Sequence, residues 1–326
     1  MQLVSFCIPA YNAEPFIRFT LESIVSQTYS DIEIIIIDDH STDQTINIIN
    51  NIEDQRISLH TANGKGAAAA RNQALALAKG KYIIFFDADD WIPSTYLETQ
   101  LDTIIAENEV VVCKWGRFVN NDITTLNIDK HQIKRDLTFK EWILGYWGNN
   151  TTMTCPGRVL IPKKLINLSG NWDGSLSLND DFQFFSQIFS NCSMIRFNNS
   201  STFYYRSGVS GLSSQKGQLA YASLYKSISF GVNLALDQYP NDKLIKKACA
   251  NLMRNFVYET YPDQPDLIEE ANAKIVLLGG ADSEFPAGGK TKIFVKFFGW
   301  RLLKKMKFYL DKSPKISLRK NTNDYN

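Results

Sequence analysis

The sequence predicts an α/β protein, a mostly parallel sheet flanked by helices, with a helical extension toward the C-terminal end. Strand-length and helix-length segments alternate through the first third of the 326-residue chain. The strand-length runs are apolar almost throughout, as strands covered on both faces must be. Each run then stops abruptly in turn-forming or acidic residues.

Leu3 to Ile8 reads as the first strand. Ala13 to Ser26 reads as a helix, with Phe16, Leu21, Ile24 and Val25 toward one face. Ile32 to Ile37 is a second buried strand, all isoleucine except Glu33. Asp39-His40-Ser41-Thr42-Asp43 supplies turn and N-cap chemistry for a helix through Ile49. Arg56 to Leu59 is a third short strand. Gly66 opens an alanine-rich helix through Ala78, and Gly80 closes it as the residue past its C-cap. Tyr82 to Phe86 follows as a fourth strand, and Val110 to Trp115 as another. Parallel strands joined by right-handed crossovers bring the residues after each strand to one sheet edge, where open α/β folds bind ligands. Pro9-Ala10-Tyr11-Asn12, Asp38-Asp39 and Asp87-Ala88-Asp89 are therefore expected in one crevice.

The acids Asp87, Asp89 and Asp90 end the fourth strand. Clustered carboxylates repel one another and favour a cation, and hard oxygen ligands at short spacing suit Mg²⁺ or Mn²⁺ completed by the phosphates of a nucleotide. The competing reading is a solvated acidic loop that caps the helix starting near Pro93.

Lys and Arg total 35 against 34 Asp and Glu, so no global field argues for nucleic acid. Cys7, Cys113, Cys155, Cys192 and Cys249 are far apart and in no metal-ligand spacing, which favours reduced thiols in a cytosolic protein. Met1 to Phe6 carries no basic leader and does not read as a signal peptide. No apolar stretch is long enough to span a bilayer.

Several segments carry a resemblance: Val4-Ser5 with Ile8 to Asn12, Ser26-Gln27-Thr28-Tyr29, Ile37 to Asp43, Gly66 to Asn72, and Phe86 to Asp90. In this order and spacing the chain is similar to the family 2 glycosyltransferases of the GT-A fold, inverting enzymes that use nucleotide-diphosphate sugars. The resemblance implies a donor nucleotide site of Pro9, Ala10, Tyr11, Asp38, Asp39, Arg71, Asp87, Ala88 and Arg206, with Tyr11 against the base and Asp39 accepting from a base N–H. It implies Asp89 and Asp87 as ligands of Mn²⁺ or Mg²⁺. The bland counterparts are a Tyr packed on its helix and an Arg paired with a nearby acid on a helix surface. His40 departs from the small residue usual in the family and reads as a turn variant.

Further on, Trp172 to Phe182 resembles the family's acceptor-side motif, an acid pair opening a helix from Phe182 to Phe189. The family usually has Glu-Asp where this chain has Asp180-Asp181. By resemblance Asp181 is the general base, with Asp180 supporting it. Plain N-capping gives the same pattern. Tyr204-Tyr205-Arg206 and the Gly208 to Ser213 run resemble the closing segment, a flexible loop over the diphosphate, although the His that often follows is absent.

The expected organisation is a catalytic domain over 1–212, with a donor half to about 115 and an acceptor half from 116, then a helical extension over 213–289 and a basic amphipathic tail over 290–326. Gln215 to Tyr239 and Lys243 to Tyr261 read as helices. In the tail, basic residues from Lys292 to Lys320 alternate with Ile293, Phe294, Phe297, Phe298, Trp300, Leu302, Leu303 and Phe308, a pattern suited to the face of an anionic membrane. A solvated helix, a partner helix or a homodimer contact is the competing reading.

The whole reads as an enzyme that moves one sugar from a nucleotide-sugar donor, UDP by family habit, to a glycan or lipid-linked acceptor in surface polysaccharide synthesis. Its expected place is the cytoplasm, at the inner face of the membrane. A nucleotidyltransferase is the alternative enzyme, but Pro9 to Asn12 is not its Gly-rich basic loop. A non-catalytic sugar-nucleotide-binding protein is the third reading.

Overall fold

The computed structural model describes residues 2–148, 155–209 and 217–312. Its strands are β1 Val4–Ala10, β2 Ile32–Asp38, β3 Ile57–Thr61, β4 Tyr82–Phe85, β5 Glu109–Val119, β6 Asp122–Ile128, β7 Val159–Pro162 and β8 Met194–Ser207. The helices are α1 Ile17–Val25, α2 Thr45–Asn50, α3 Ala67–Leu77, α4 Tyr96–Thr103, α5 Phe139–Trp142, α6 Lys163–Ser169, α7 Asp180–Asn191, α8 Gln218–Gln238, α9 Lys243–Thr260, α10 Pro265–Leu277, α11 Gly289–Phe298 and α12 Trp300–Lys312. One sheet runs β3-β2-β1-β4-β7-β5-β6, with β8 paired to β5. The β3-β2-β1-β4 half is parallel. Direction reverses at β7, which is antiparallel to both β4 and β5.

Alternation along the strands splits the core between the two sheet faces. Cys7, Ile35, Ile37, Ile83 and Phe85 pack under α3, α7, α8 and α9, while Phe6, Ile8, Ile34, Ile36, Ile84 and Phe86 pack under α1 and α4. Each such side chain contributes roughly 1.5–3 kcal/mol by leaving water. The first core is continuous from the sheet into α8 to α10, so these helices share the packing of the sheet.

Two expectations change. Gly80 is not a helix C-cap: α3 ends at Leu77 with an extended Ala78 as its cap. Gly80 is needed instead because a Cβ there would lie 2.4 Å from Ser5 Oγ and 2.7 Å from the Ser5 backbone nitrogen. Tyr204-Tyr205-Arg206 is not loop but the end of the long strand β8, held by its parallel register to β5. The stretch after Gly116 carries the β5–β6 hairpin and β7. Ser210 to Ser213, with Gly211, lies outside the described residues, as do Lys315, Arg319 and Lys320.

Candidate active site

The loops after β1 and β2 are laced together at the sheet's carboxyl edge. The Asn12 N–H donates to Ser41 Oγ at 2.9 Å, and Asn12 Oδ1 accepts from the Thr42 N–H at 2.8 Å. The Ala13 N–H donates to Thr45 Oγ1 at 2.8 Å. Asn12 and His40 both take positive φ, 46° and 62°, which lets these tight turns form. Between them Tyr11 stands 62% exposed, its ring free rather than packed on α1. Asp38 is buried and accepts from the Ser41 N–H at 3.0 Å, which makes it a turn-holder. Asp39 is partly exposed; its Oδ2 accepts from the Gly66 N–H at 2.7 Å, joining this edge to the start of α3. Gly66 sits at φ 92°, a conformation that favours glycine.

The Asp87 to Asp90 loop arrives beside them, pinned from both sides. From α1, the Thr20 hydroxyl lies 3.1 Å from the Ala88 carbonyl and 2.9 Å from that of Asp90. From β8, the Arg206 N–H donates to Asp90 Oδ1 at 2.8 Å and Arg206 Nε to the Asp89 carbonyl at 2.5 Å. Asp90 is fully buried, and burial with Asp89 and Asp87 nearby drives its carboxyl well above the usual range. It joins strand to loop and does not face the crevice. The Arg206 guanidinium is only 2% exposed and lies over Phe118, Phe16 and Phe19 at 4.5, 4.7 and 5.7 Å.

Across the crevice, Asp180 and Asp181 form the first turn of α7, behind Asn179 in left-handed geometry. Ser227 and Ser223 of α8 hold this approach through the Asn179 and Leu178 carbonyls at 2.6 and 2.8 Å. Arg71 bridges the two acid motifs, with Nη2 on Asp87 Oδ1 at 2.7 Å and Nη1 on Asp180 Oδ2 at 3.0 Å. Asp181 is deeply enclosed although its side chain still meets solvent, and burial, then the Asp180 charge, pushes its carboxyl up to about 7. A carboxyl held there suits proton abstraction near neutral pH.

Asp89 is likewise raised, to about 6, by burial and by Asp87. Among the described residues no ion pair forms with its carboxylate, and no group of three His, Cys, Asp or Glu could cage a metal. Asp87 and Asp89 carry hard carboxylate oxygens of the type a divalent ion prefers, and these two residues would hold one with the substrate supplying further ligands. The site thus brings Tyr11, Asp39, Asp87, Asp89, Arg71, Asp180 and Asp181 to one edge, while Asp38, Asp90 and Arg206 support from beneath. Thr20 and the α8 serines escaped the sequence reading, because nothing in their local pattern marks them, and Asn72 closed a recognised segment without being given a role.

The glycosyl transferase family 2 model matches residues 5–167. An Escherichia coli relative, UDP-Glc:alpha-D-GlcNAc-diphosphoundecaprenol beta-1,3-glucosyltransferase WfaP, is 54% identical over 102 residues, 31% of this chain and 41% of its own. The chain spans about half the length of the curated relatives it matches, 41% and 55% for two of them. Staphylococcus aureus TarS 1-349 with UDP-GlcNAc superposes with a TM-score of 0.70 at 17% identity, over 85% of this chain and 81% of that one. The mannosyltransferase PcManGT of Pyrobaculum calidifontis, with GDP-Man and Mn2+, gives 0.52 at 16% identity, over 95% and 85%. These structural likenesses establish the shared fold. A family match covering half the chain, from β1 into α6, includes both strand-end loops and the acids after β4, and with it the chain belongs to glycosyl transferase family 2.

Proposed function

We propose that this protein is an inverting glycosyltransferase that moves one sugar from a nucleotide-diphosphate sugar, by preference a UDP-sugar, to a hydroxyl of a glycan or lipid-linked acceptor in bacterial surface polysaccharide synthesis. One observation carries the reading. The donor-side acid Asp87 and the acceptor-side acid Asp180 share one guanidinium, so Asp181 stands beside the donor crevice rather than at a remote helix cap.

Tyr11 offers an open ring for the base to stack on, and Asp39 an acceptor for a base N–H. Asp87 and Asp89 would hold the divalent ion, whose contribution when bound is to offset charge on the departing diphosphate. Asp181 takes the proton from the acceptor hydroxyl as that oxygen attacks the anomeric carbon, opposite the leaving group. Partial burial and the neighbouring Asp180 charge keep the proton affinity of Asp181 near neutral.

The acceptor reading draws support from the lipid diphosphate in the WfaP name and from the tail. In α11 and α12, Phe297, Leu302, Met306, Tyr309 and Leu310 are exposed, and Lys and Arg greatly outnumber the single acid, Asp311. Leu302, Met306 and Tyr309–Leu310 share one helix face. Trp300 anchors α12 among Tyr258, Tyr261 and Phe285 at 4.9, 5.2 and 5.7 Å, which leaves that face outward. Among the described residues no helix is long and apolar enough to cross a membrane. The tail therefore lies on the anionic inner face. A second copy is the poorer partner, since it would set like charges against each other.

The test is release of nucleoside diphosphate from a panel of UDP-, GDP- and dTDP-sugars with Mn²⁺ or Mg²⁺. Wild type should turn over one donor, and Asp181→Ala and Asp89→Ala should lose most of that turnover. Unchanged turnover in either variant contradicts the role given to it.

A further inference from the structure

Arg71 and Asn72, consecutive residues in α3, reach the same distant segment by different means. The Arg71 side chain is buried, 7% exposed, and its fork is divided between Asp87 and Asp180. Its plane lies over Trp172, 4.4 Å from the ring centroid. Asn72 grips the backbone of that same Trp172, donating to its carbonyl at 2.9 Å and accepting from its N–H at 3.0 Å. Trp172 in turn stacks on Phe184 of α7 at 4.1 Å with planes 9° apart. The segment leading into Asp180-Asp181 is thus held at its start by Asn72 and at its end by Arg71. Both guanidinium ends carry a carboxylate, Nε is buried, and Trp172 covers one face.

We propose that Arg71 is a positioning residue for the acceptor-side acids and not a contact to the donor nucleotide: with Asn72 it clamps the segment from Trp172 to Asp181 against Asp87, and so sets where Asp181 stands relative to the donor. This rests on the glycosyltransferase reading and revises the nucleotide-side role that the family resemblance implies for Arg71. A lysine cannot replace it, because a single ammonium does not serve two diverging carboxylates as a planar fork does.

The experiment compares wild type, Arg71→Lys and Asp180→Asn in two measurements: calorimetric binding of UDP, GDP and dTDP with saturating Mn²⁺, and kcat and KM on the donor that wild type uses. The clamp predicts that both variants bind the nucleotide within about threefold of wild type while kcat falls about tenfold or more, since small misplacements of a reacting group carry losses of that order. Nucleotide affinity weakened tenfold or more in Arg71→Lys with kcat retained would overturn it. So would an unchanged kcat in Asp180→Asn, which keeps Arg71 paired with Asp87 and stands as the test if Arg71→Lys does not fold. Absence of turnover in wild type on every donor would instead strike the glycosyltransferase reading itself.

Discussion

Replacing Asp181 by Asn should stabilise the protein while disabling it, and the size of the gain should depend on pH. The Asp181 carboxyl is raised from its ordinary 3.8 to about 7, by burial and then by Asp180. At about 1.4 kcal/mol per tenfold change in proton affinity, that sets an upper bound of about 4 kcal/mol on the cost of its charge. Its side chain still meets solvent, so about 2 kcal/mol is the working figure. The folded state holds this proton more tightly than the unfolded chain does. Stability is therefore intact below about pH 4 and declines as pH rises through about 7. Asn keeps the acceptor that receives the Phe182 N–H at 2.8 Å but never ionises. In thermal unfolding followed by circular dichroism, with EDTA present, Asp181→Asn should melt about 3 °C above wild type at pH 8 and close to it at pH 4. Turnover should meanwhile fall by about 10²-fold or more. A variant less stable than wild type at pH 8, or equally stabilised at both pH values, would refute the burial argument.

Gly80→Ala should lower stability by about 1–3 kcal/mol, because the added Cβ meets Ser5 backbone as well as its hydroxyl; an unchanged melting temperature would show that the strands can separate there. Thr20→Val leaves the Ala88 and Asp90 carbonyls without their buried hydroxyl, so it should cost about 1–3 kcal/mol and loosen the acid loop, read as weaker Mn²⁺ binding by calorimetry. Vesicles containing phosphatidylglycerol should pull down wild type in low salt, and Leu302→Ser with Met306→Ser should reduce this severalfold; equal binding to neutral vesicles, or a salt-insensitive dimer in their place, would contradict the tail's assignment.

The parallel half of the fold was legible because β1, β2 and β4 are covered on both faces, so their apolar runs stand out from any neighbour. The acids that follow them were legible for the same reason, since a strand's end fixes the sheet edge where they arrive. What stayed hidden depends on partners remote in sequence. Gly80 looked like a helix terminator when its need is the approach of Ser5. Tyr204 to Arg206 looked like loop because the polar run Asn198 to Thr202 breaks any alternation along β8, which is recognisable only beside β5. Asn72 and Trp172, a hundred residues apart in sequence, leave no local trace of their hydrogen bonds. Even Arg71, conspicuous after four alanines, did not disclose that both its partners are acids.

The most direct test of the whole account is a crystal structure with the released nucleoside diphosphate and Mn²⁺. The account predicts the base on Tyr11 and Asp39, the diphosphate at Asp87 and Asp89, and Asp181 facing the space left by the sugar. A nucleotide seated away from that edge, or an Asp181 turned out of it, would contradict the mechanism.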